Sequence, residues 1–166
     1  MIEMTLRPID LSHDVPLLAE FLVPKDAARL SKALPALRDF DAFAVIGCCD
    51  ERVVGWGLVH TALRDDMDWG SEGRTREMLA HGDAYLEYLE IRAEFRGLGY
   101  GSQLLDALEE RTRRVHGRLW LHTSESNAGA RRFYERNGYN YIRTMQPSWN
   151  DSQPTRIYCK RFIVRR

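Results

Sequence analysis

The chain has 166 residues, and its 24 lysines and arginines balance 24 aspartates and glutamates. This length predicts a single domain over residues 1–166, and a hydrophobic content of 44% is typical of a globular protein with a sizeable core. The zero net charge excludes a broad basic field for nucleic acid or an anionic membrane, so we expect neither as a partner.

Cysteine usage and the N-terminal sequence bear on the compartment. The three cysteines, Cys48, Cys49 and Cys159, are odd in number and lack metal-ligand spacing, so we expect reduced thiols and no metal. Charged residues begin at Glu3, and no apolar run is long enough to span a bilayer. These features predict a cytoplasmic protein and leave monomer and homodimer open.

The first half of the chain predicts a mixture of helices and strands. In order, the predicted elements are a strand at residues 4–9, a helix up to residue 21, a short helix at 26–34, and a hairpin of strands at 43–49 and 53–61. Residues 62–83 form the longest irregular stretch, with an acidic cluster around Trp69. We expect there either a lid that suits a cationic ligand or a solvated loop.

The most informative stretch is a predicted strand, glycine loop and helix. The strand covers residues 86–92, the loop has the sequence Arg96-Gly97-Leu98-Gly99-Tyr100-Gly101, and the helix runs to about residue 116 with apolar residues up to Val115 at helical spacing. Glycines let backbone amides turn toward one point, beside the positive end of the helix. The pattern predicts a seat for an anion, usually a phosphate.

Two common phosphate motifs do not fit this loop. Counted from Gly97, the third glycine of a dinucleotide fingerprint is replaced by Ser102, and no Gly-Lys-Ser/Thr follows as in a Walker motif. A tight turn without a ligand remains the alternative. Downstream we predict a strand at 119–123, a helix capped by Ser126 or Asn127, and a strand pair at 139–145 and 156–162. Residues 147–154 are a second candidate wall for the same ligand.

Two motifs resemble the GCN5-related N-acetyltransferase (GNAT) family. Arg96-x-x-Gly99-x-Gly101 is similar to the Arg/Gln-x-x-Gly-x-Gly/Ala signature of that family, although Ala93 stands where the family usually has proline. Asn127-x-x-Ala130-x-x-Phe133-Tyr134-x-x-x-Gly138-Tyr139 resembles the family's second coenzyme-contacting helix. The two motifs occur in the family's order, and the resemblance covers residues 5–162, most strongly residues 84–139.

The resemblance implies a fold and a reaction. The fold is α/β (α+β), a mixed and mostly antiparallel sheet of about seven strands with helices on both faces, splayed between strands 4 and 5. The co-substrate is acetyl-CoA, with no metal. The acceptor is the primary amine of a small molecule, or of a peptide or protein.

The resemblance also implies the residues that bind the coenzyme. The pantetheine arm pairs with the backbone of Leu89, Glu90 and Ile91, as an added strand would. The diphosphate lies on the amides of Arg96, Gly97, Leu98, Gly99, Tyr100, Gly101 and Ser102. On the second helix we expect contacts from Asn127, Phe133 and Tyr134, although Asn127 has the alternative role of a plain helix cap.

The chemistry requires a base and an acid. An alkyl amine with a pKa near 10.4 costs roughly 4 to 5 kcal/mol to deprotonate at neutral pH. We predict Glu87 as the base, acting through a water, with His122 in reserve; Glu90 instead pairs with an arginine, unless a bulge near Leu89 exchanges the two strand faces. Tyr134 is the predicted acid, although transfer from a phenol to a thiolate is uphill by about 2 kcal/mol at ordinary pKa values.

Two other functions remain open from the sequence. One is a non-catalytic acyl-CoA-binding module that senses or scaffolds, in which Tyr134 and Glu87 have no chemical role. The other is an acyltransferase that uses a longer acyl group.

Overall fold

The computed structural model describes residues 3–21, 31, 34–39, 41–50, 52–62, 82–146 and 153–163. Among these residues the α-helices are α1 (Asp14–Phe21), α2 (Tyr100–Thr112) and α3 (Ala128–Arg136), and residues 31 and 34–38 are also helical. Ala93–Phe95 form a short 3-10 helix. The strands are β1 (Thr5–Pro8), β2 (Ala42–Cys49), β3 (Arg52–His60), β4 (Ala84–Ile91), β5 (Arg118–Ser124), β6 (Asn140–Met145) and β7 (Thr155–Arg161). The predicted helix at 26–34, the irregular stretch 62–83 and the predicted wall 147–154 lie mostly outside the described residues.

The strands form one open sheet of seven strands in the order β1-β2-β3-β4-β5-β7-β6. The pairs β1/β2, β2/β3, β5/β7 and β6/β7 are antiparallel, and β4/β5 is parallel. The prediction of a mixed and mostly antiparallel seven-stranded sheet is therefore confirmed. Among the described helices, none is long and apolar enough to cross a membrane.

The ladder between β4 and β5 is short. Three residue pairs form it, Ala84 with Leu119, Tyr85 with Trp120 and Leu86 with Leu121. β4 continues to Ile91, beyond the last of these pairs. The limited parallel pairing is consistent with the splay that the resemblance implies.

The chain divides into two compact units, Met1–His60 with Tyr88–Glu110, and Thr61–Glu87 with Arg111–Arg166. In the first unit, α2 packs closely on the sheet because β3 carries glycine where a side chain would interfere. A Cβ on Gly57 would lie 2.4 Å from Cδ1 of Leu108. In the second unit, α3 is tied to β7 by a hydrogen bond of 3.0 Å that the Tyr158 hydroxyl donates to Glu135.

The helix that follows the glycine loop ends earlier than its sequence pattern indicates. α2 stops at Thr112 rather than near residue 116, and Val115 is 74% exposed although it continues the apolar spacing. The carbonyl oxygen of Thr112 accepts hydrogen bonds from the amides of Val115 and His116, which closes the helix with a tight turn. The preceding run of charged side chains offers no apolar face that would favour another turn.

Candidate active site

The glycine loop presents backbone donors at the start of α2. Gly97 and Gly99 have φ angles of 79° and 86°, which a side chain would disfavour. In the described chain, the amides of Gly97, Leu98, Gly99 and Gly101 donate no backbone hydrogen bond. Residues 96–99 are exposed. The loop therefore fits a diphosphate, since its donors are accessible and the N-terminus of a 13-residue helix favours negative charge.

Contacts at the base of the loop hold it against β4. Nε of Arg96 donates a hydrogen bond of 2.9 Å to the carbonyl oxygen of Ile91. The rings of Phe95 and Tyr100 meet edge to face with their centroids 6.2 Å apart, and Tyr100 is buried. These contacts fix both ends of the loop while its middle stays open to solvent.

The backbone of β4 has two edges with different partners. The amide of Arg92 donates to the carbonyl oxygen of Val54 on β3, at 2.9 Å. Because backbone groups of successive strand residues point to opposite edges, Glu90 faces β3 and Leu89 and Ile91 face the other way. Leu89 and Ile91 therefore have the orientation that pairing with a pantetheine arm requires.

The carboxylate of Glu90 is engaged within the protein. The Tyr88 hydroxyl donates to Oε2 of Glu90 at 2.5 Å, and Nη2 of Arg96 lies 3.9 Å from Oε1. The Tyr88 ring packs on Trp56 with centroids 4.5 Å apart. Tyr88 and Glu90 thus share one strand face, and the predicted pairing of Glu90 with an arginine is observed.

Asn127 caps α3, as one of its two predicted roles requires. Its Oδ1 accepts a hydrogen bond of 3.0 Å from the amide of Ala130. This bond uses the side-chain oxygen and leaves Nδ2 as a donor. The capping role is therefore compatible with the second predicted role, a hydrogen bond to the pantetheine arm.

Tyr134 lies in a group of aromatic rings on the inner side of α3. Its centroid is 5.2 Å from Phe133, 5.6 Å from Tyr139 and 6.5 Å from Tyr158. Burial raises the pKa of Tyr134 to about 12. Full proton transfer to a thiolate with a pKa near 8.5 is then uphill by roughly 5 kcal/mol. Because its pKa is raised and not lowered, the side chain is suited to donating a hydrogen bond and poorly suited to full proton transfer.

A tyrosine and a histidine are joined across β4 and β5. The Tyr85 hydroxyl hydrogen-bonds Nδ1 of His122, and the two rings stack with centroids 5.8 Å apart and an interplanar angle of 14°. Tyr85 is 2% exposed, whereas His122 is exposed. Since Tyr85 pairs with Trp120, the alternation of strand side chains places Glu87 and His122 on this same face.

This face is opposite to the one that α3 covers. Tyr158, which pairs with Leu121, carries the hydrogen bond to α3, and His122 is the next residue along β5. The side chains of Glu87 and His122 therefore project from one face of the sheet in the second unit, and Tyr134 lies on the opposite face. Two candidate proton acceptors are separated by the sheet from the candidate donor.

The comparison with known sequences decides the family. A family model described as the Acetyltransferase (GNAT) family matches residues 14–139. The chain belongs to this family. The match includes the glycine loop, β4, β5 and the Asn127 to Tyr134 helix, so both GNAT motifs lie inside it. No curated protein matches the chain in sequence.

Solved structures confirm the GNAT fold. A GNAT-family protein from Desulfovibrio desulfuricans has 18% identity and a TM-score of 0.73, with 96% of this chain and 99% of that chain covered. The ribosomal-protein-S18-alanine N-acetyltransferase from Escherichia coli has 15% identity and a TM-score of 0.69, with 95% and 92% covered. RimL, a ribosomal L7/L12 α-N-protein acetyltransferase solved with coenzyme A, has 16% identity and a TM-score of 0.70, with 97% and 96% covered.

Sequence reasoning about the GNAT motifs did not single out Tyr85. Tyr85 has no predicted role, and its partner His122 is predicted only as a reserve base. The register that joins them belongs to a parallel strand pair far apart in sequence, which no local pattern reveals. In the described part of the chain, no group of three metal-ligating side chains occurs.

Proposed function

We propose that this GNAT protein is an acetyl-CoA-dependent N-acetyltransferase that acetylates a primary amine by direct attack. The observation that carries the proposal is the open loop at the start of α2, in which the amides of Gly97, Leu98, Gly99 and Gly101 donate no backbone hydrogen bond within the described residues. Acetyl-CoA supplies the thioester. The loop amides bind its diphosphate, and the backbone of Leu89 and Ile91 aligns its pantetheine arm.

The transfer needs one proton removed and one supplied. The amine nitrogen bonds to the acetyl carbon, the carbon–sulfur bond breaks, and the amine loses a proton as coenzyme A gains one. Glu87, acting through a water, is the proposed proton acceptor, and His122 is the alternative. A backbone amide on the splayed strand donates to the developing oxyanion.

Tyr134 assists the departing sulfur in this proposal. With its pKa raised to about 12, it keeps its proton and donates a hydrogen bond to the thiolate. Solvent then supplies the proton that coenzyme A carries away. This division of roles agrees with the packing of Tyr134 against Phe133, Tyr139 and Tyr158.

The acceptor is a small-molecule amine or an amine of a peptide or protein. The names of two similar structures refer to acetylation of ribosomal proteins, which supports including protein α-amines among the tested acceptors. We place the reaction in the cytoplasm, in keeping with cysteines that are free in the structure.

A panel of amines tests the proposal. Alkyl diamines, amino acids, peptides with a free α-amine and lysine peptides are incubated with acetyl-CoA, and release of free thiol is followed. We expect at least one class to release thiol together with an acetylated product, and Tyr134→Phe to reduce the rate without weakening coenzyme binding. Tight binding of coenzyme A without turnover on any amine would support the sensor alternative.

A further inference from the structure

We propose that the second compact unit binds the phosphate backbone of a nucleic acid through an arginine surface at the start of β5. The arginine surface consists of Arg111, Arg113, Arg114, Arg118 and Arg161. This interaction is separate from the acetyl transfer and does not depend on it. It revises the expectation, drawn from the zero net charge of the whole chain, that nucleic acid is not a partner.

Charge is distributed unevenly along the chain. Residues 111–166 contain 13 of the 24 lysines and arginines and 3 of the 24 aspartates and glutamates. The net charge of this part is therefore +10, and residues 1–110 carry −10. A strong charge asymmetry between two parts of a chain indicates binding to nucleic acid or to a membrane, and the balanced total conceals it here.

Two segments far apart in sequence bring the five arginines together. The amide of Phe162 donates a hydrogen bond of 2.8 Å to the carbonyl oxygen of Gly117. Arg118 and Arg161 are register partners on β5 and β7. The turn that closes α2 is thus joined to the end of β7. Four of the arginines at this junction are exposed, namely Arg111, Arg113, Arg114 and Arg161.

Aromatic rings hold two of the guanidinium groups. Cζ of Arg113 lies 5.6 Å from the centroid of the Phe162 ring, and Cζ of Arg118 lies 5.8 Å from the centroid of the Trp120 ring. A planar guanidinium that packs on a ring is already ordered, so it loses less side-chain freedom when it binds a ligand. Its N–H groups suit bidentate hydrogen bonds to phosphate oxygens.

Folding stability does not account for this arrangement. The helix dipole favours a cation in the last turn of α2, which explains Arg111 alone. Like charges directly opposite on antiparallel strands are destabilising, and Arg118 and Arg161 occupy such positions. Asp83 compensates Arg118, whereas no carboxylate of the described residues forms an ion pair with Arg161. A bound anion would relieve the repulsion between the two arginines.

The other side chains favour nucleic acid over an acidic protein or a membrane. Residues 111–118 and 160–163 contain no carboxylate, and buried Asp83 is held by Arg118. The exposed apolar side chains there are two separate aliphatic groups, Val115 and Ile163. A protein interface needs an apolar centre, and a membrane-bound surface needs a broad apolar face. Binding to a phosphate backbone requires positive charge and neither of these.

The arginine surface is separate from the part of α3 that carries Asn127 at its start. β5 has 7 residues, from Arg118 to Ser124, and Asn127 follows its far end. At about 3.3 Å per strand residue, the two ends of β5 are roughly 20 Å apart. A nucleic acid on the arginine surface therefore leaves the start of α3 uncovered.

Fluorescence anisotropy with labelled oligonucleotides of about 20 nucleotides tests the inference. Single-stranded RNA and DNA are separate arms, since both carry the phosphate backbone. We expect micromolar binding at about 50 mM salt and a loss of about 50- to 130-fold between about 50 and 200 mM, as for four or five phosphate contacts. Equal affinities would indicate binding through the backbone alone, and a preference would identify the natural ligand. Saturating coenzyme A should not displace either oligonucleotide.

A charge-matched pair of variants locates the binding site. Arg114→Gln combined with Arg161→Gln should weaken binding at least tenfold and reduce the slope of log K against log salt by about 1.4. Arg38→Gln combined with Arg52→Gln removes the same charge at exposed arginines outside the arginine surface and should bind as the wild-type protein does. In wild-type protein, the amide signals of residues 113–118 and 160–163 should shift on addition of RNA, which does not depend on variant folding.

Several results would overturn the inference. Displacement by coenzyme A would mean that the oligonucleotide occupies the coenzyme site, and equal losses in the two double variants would mean that only net charge matters. Poly-L-glutamate that binds as tightly as RNA would assign the arginine surface to an acidic protein. Binding to phosphatidylserine vesicles without binding to RNA or DNA would assign it to a membrane. Absence of binding to both oligonucleotides at low salt would refute it outright.

Discussion

A Cβ placed on Gly55 would lie 2.4 Å from the carbonyl oxygen of Glu90. β3 therefore runs against the backbone of β4 at the point where Leu89 and Ile91 turn their amides and carbonyls outward. The close approach makes glycine necessary here, because the obstructing atom belongs to a backbone and has little room to move.

Gly55→Ala should consequently destabilise the protein by roughly 2 kcal/mol, in the range of overpacked cores, and weaken coenzyme A binding. Urea denaturation and calorimetric titration measure the two effects. Gly129→Ala in α3 is the matched control, since a Cβ there meets its nearest atom at 3.7 Å. The control should gain about 0.5 to 1 kcal/mol as an alanine in a helix. Equal stability of both variants would contradict the packing described here.

Substituting a loop glycine tests the diphosphate-binding site, because a side chain at a positive φ strains the backbone. Gly99 has a φ of 86° and open space around its Cβ position, so Gly99→Ala is strained without a clash. We expect a loss of about 1 to 2 kcal/mol in stability and a fall of at least tenfold in affinity for coenzyme A. Gly82→Ala, at a φ of 72° outside the loop, carries the same strain. A similar loss of affinity in both variants would mean that strain, and not the loop, accounts for the effect.

The loop and the helix cap could be predicted because each depends on residues close together in sequence. Other parts of the site depend on pairing between distant segments and could not be predicted. The glycines at 97 and 99 and the cap at Asn127 act within a few residues, and each is where the motifs indicated. The contact between Tyr85 and His122 depends on the register of two parallel strands. The early end of α2 depends on a turn at Thr112 that the apolar spacing up to Val115 concealed.

The buried carboxylate of Asp14 makes stability depend on pH. Arg7 donates two hydrogen bonds to it, at 2.6 and 2.7 Å, and the Arg7 guanidinium lowers the pKa of Asp14 well below its usual range. The folded state then binds fewer protons than the unfolded state, whose aspartate has a pKa near 3.9. The stabilisation is complete above about pH 4 and is lost as the pH falls toward the folded pKa.

Asp14→Asn should therefore cost roughly 1.5 to 3 kcal/mol at pH 7, because a neutral amide cannot replace the buried carboxylate as acceptor of the two charge-assisted hydrogen bonds from Arg7. The difference in unfolding free energy between the wild-type protein and the variant should become progressively smaller below pH 4. Urea denaturation at several pH values measures both quantities, with Glu3→Gln, an exposed position, as control. If this difference in unfolding free energy stayed constant down to pH 2, the ion pair between Arg7 and Asp14 would not be its cause.

Tyr134 should remain protonated in the folded protein well above pH 10. Its pKa is raised to about 12 by burial, so the folded state holds a proton that an unfolded tyrosine with a pKa near 10 releases. The stability that the protonated Tyr134 contributes is therefore complete below about pH 10 and declines as the pH rises toward 12. Tyr134→Phe should lack this decline, as denaturation between pH 9 and 11 can show. An identical loss of stability in the variant would show that a group other than Tyr134 causes it.

The same side chain should affect turnover without affecting binding. Tyr134→Phe keeps the aromatic packing with Phe133, Tyr139 and Tyr158 but removes the donor to sulfur. We expect kcat to fall about 100-fold, as for other lost transition-state donors, with the Kd for coenzyme A unchanged. A rise in Kd with unchanged kcat would instead assign Tyr134 to packing against the pantetheine arm.

The seat for the diphosphate is tested most directly by following backbone amide signals during titration with coenzyme A. The amides of Gly97, Leu98, Gly99 and Gly101 should show the largest shifts and a common dissociation constant, and pantetheine, which lacks the diphosphate, should leave them nearly unchanged. Shifts centred elsewhere, or no binding at millimolar coenzyme A, would contradict the proposed site.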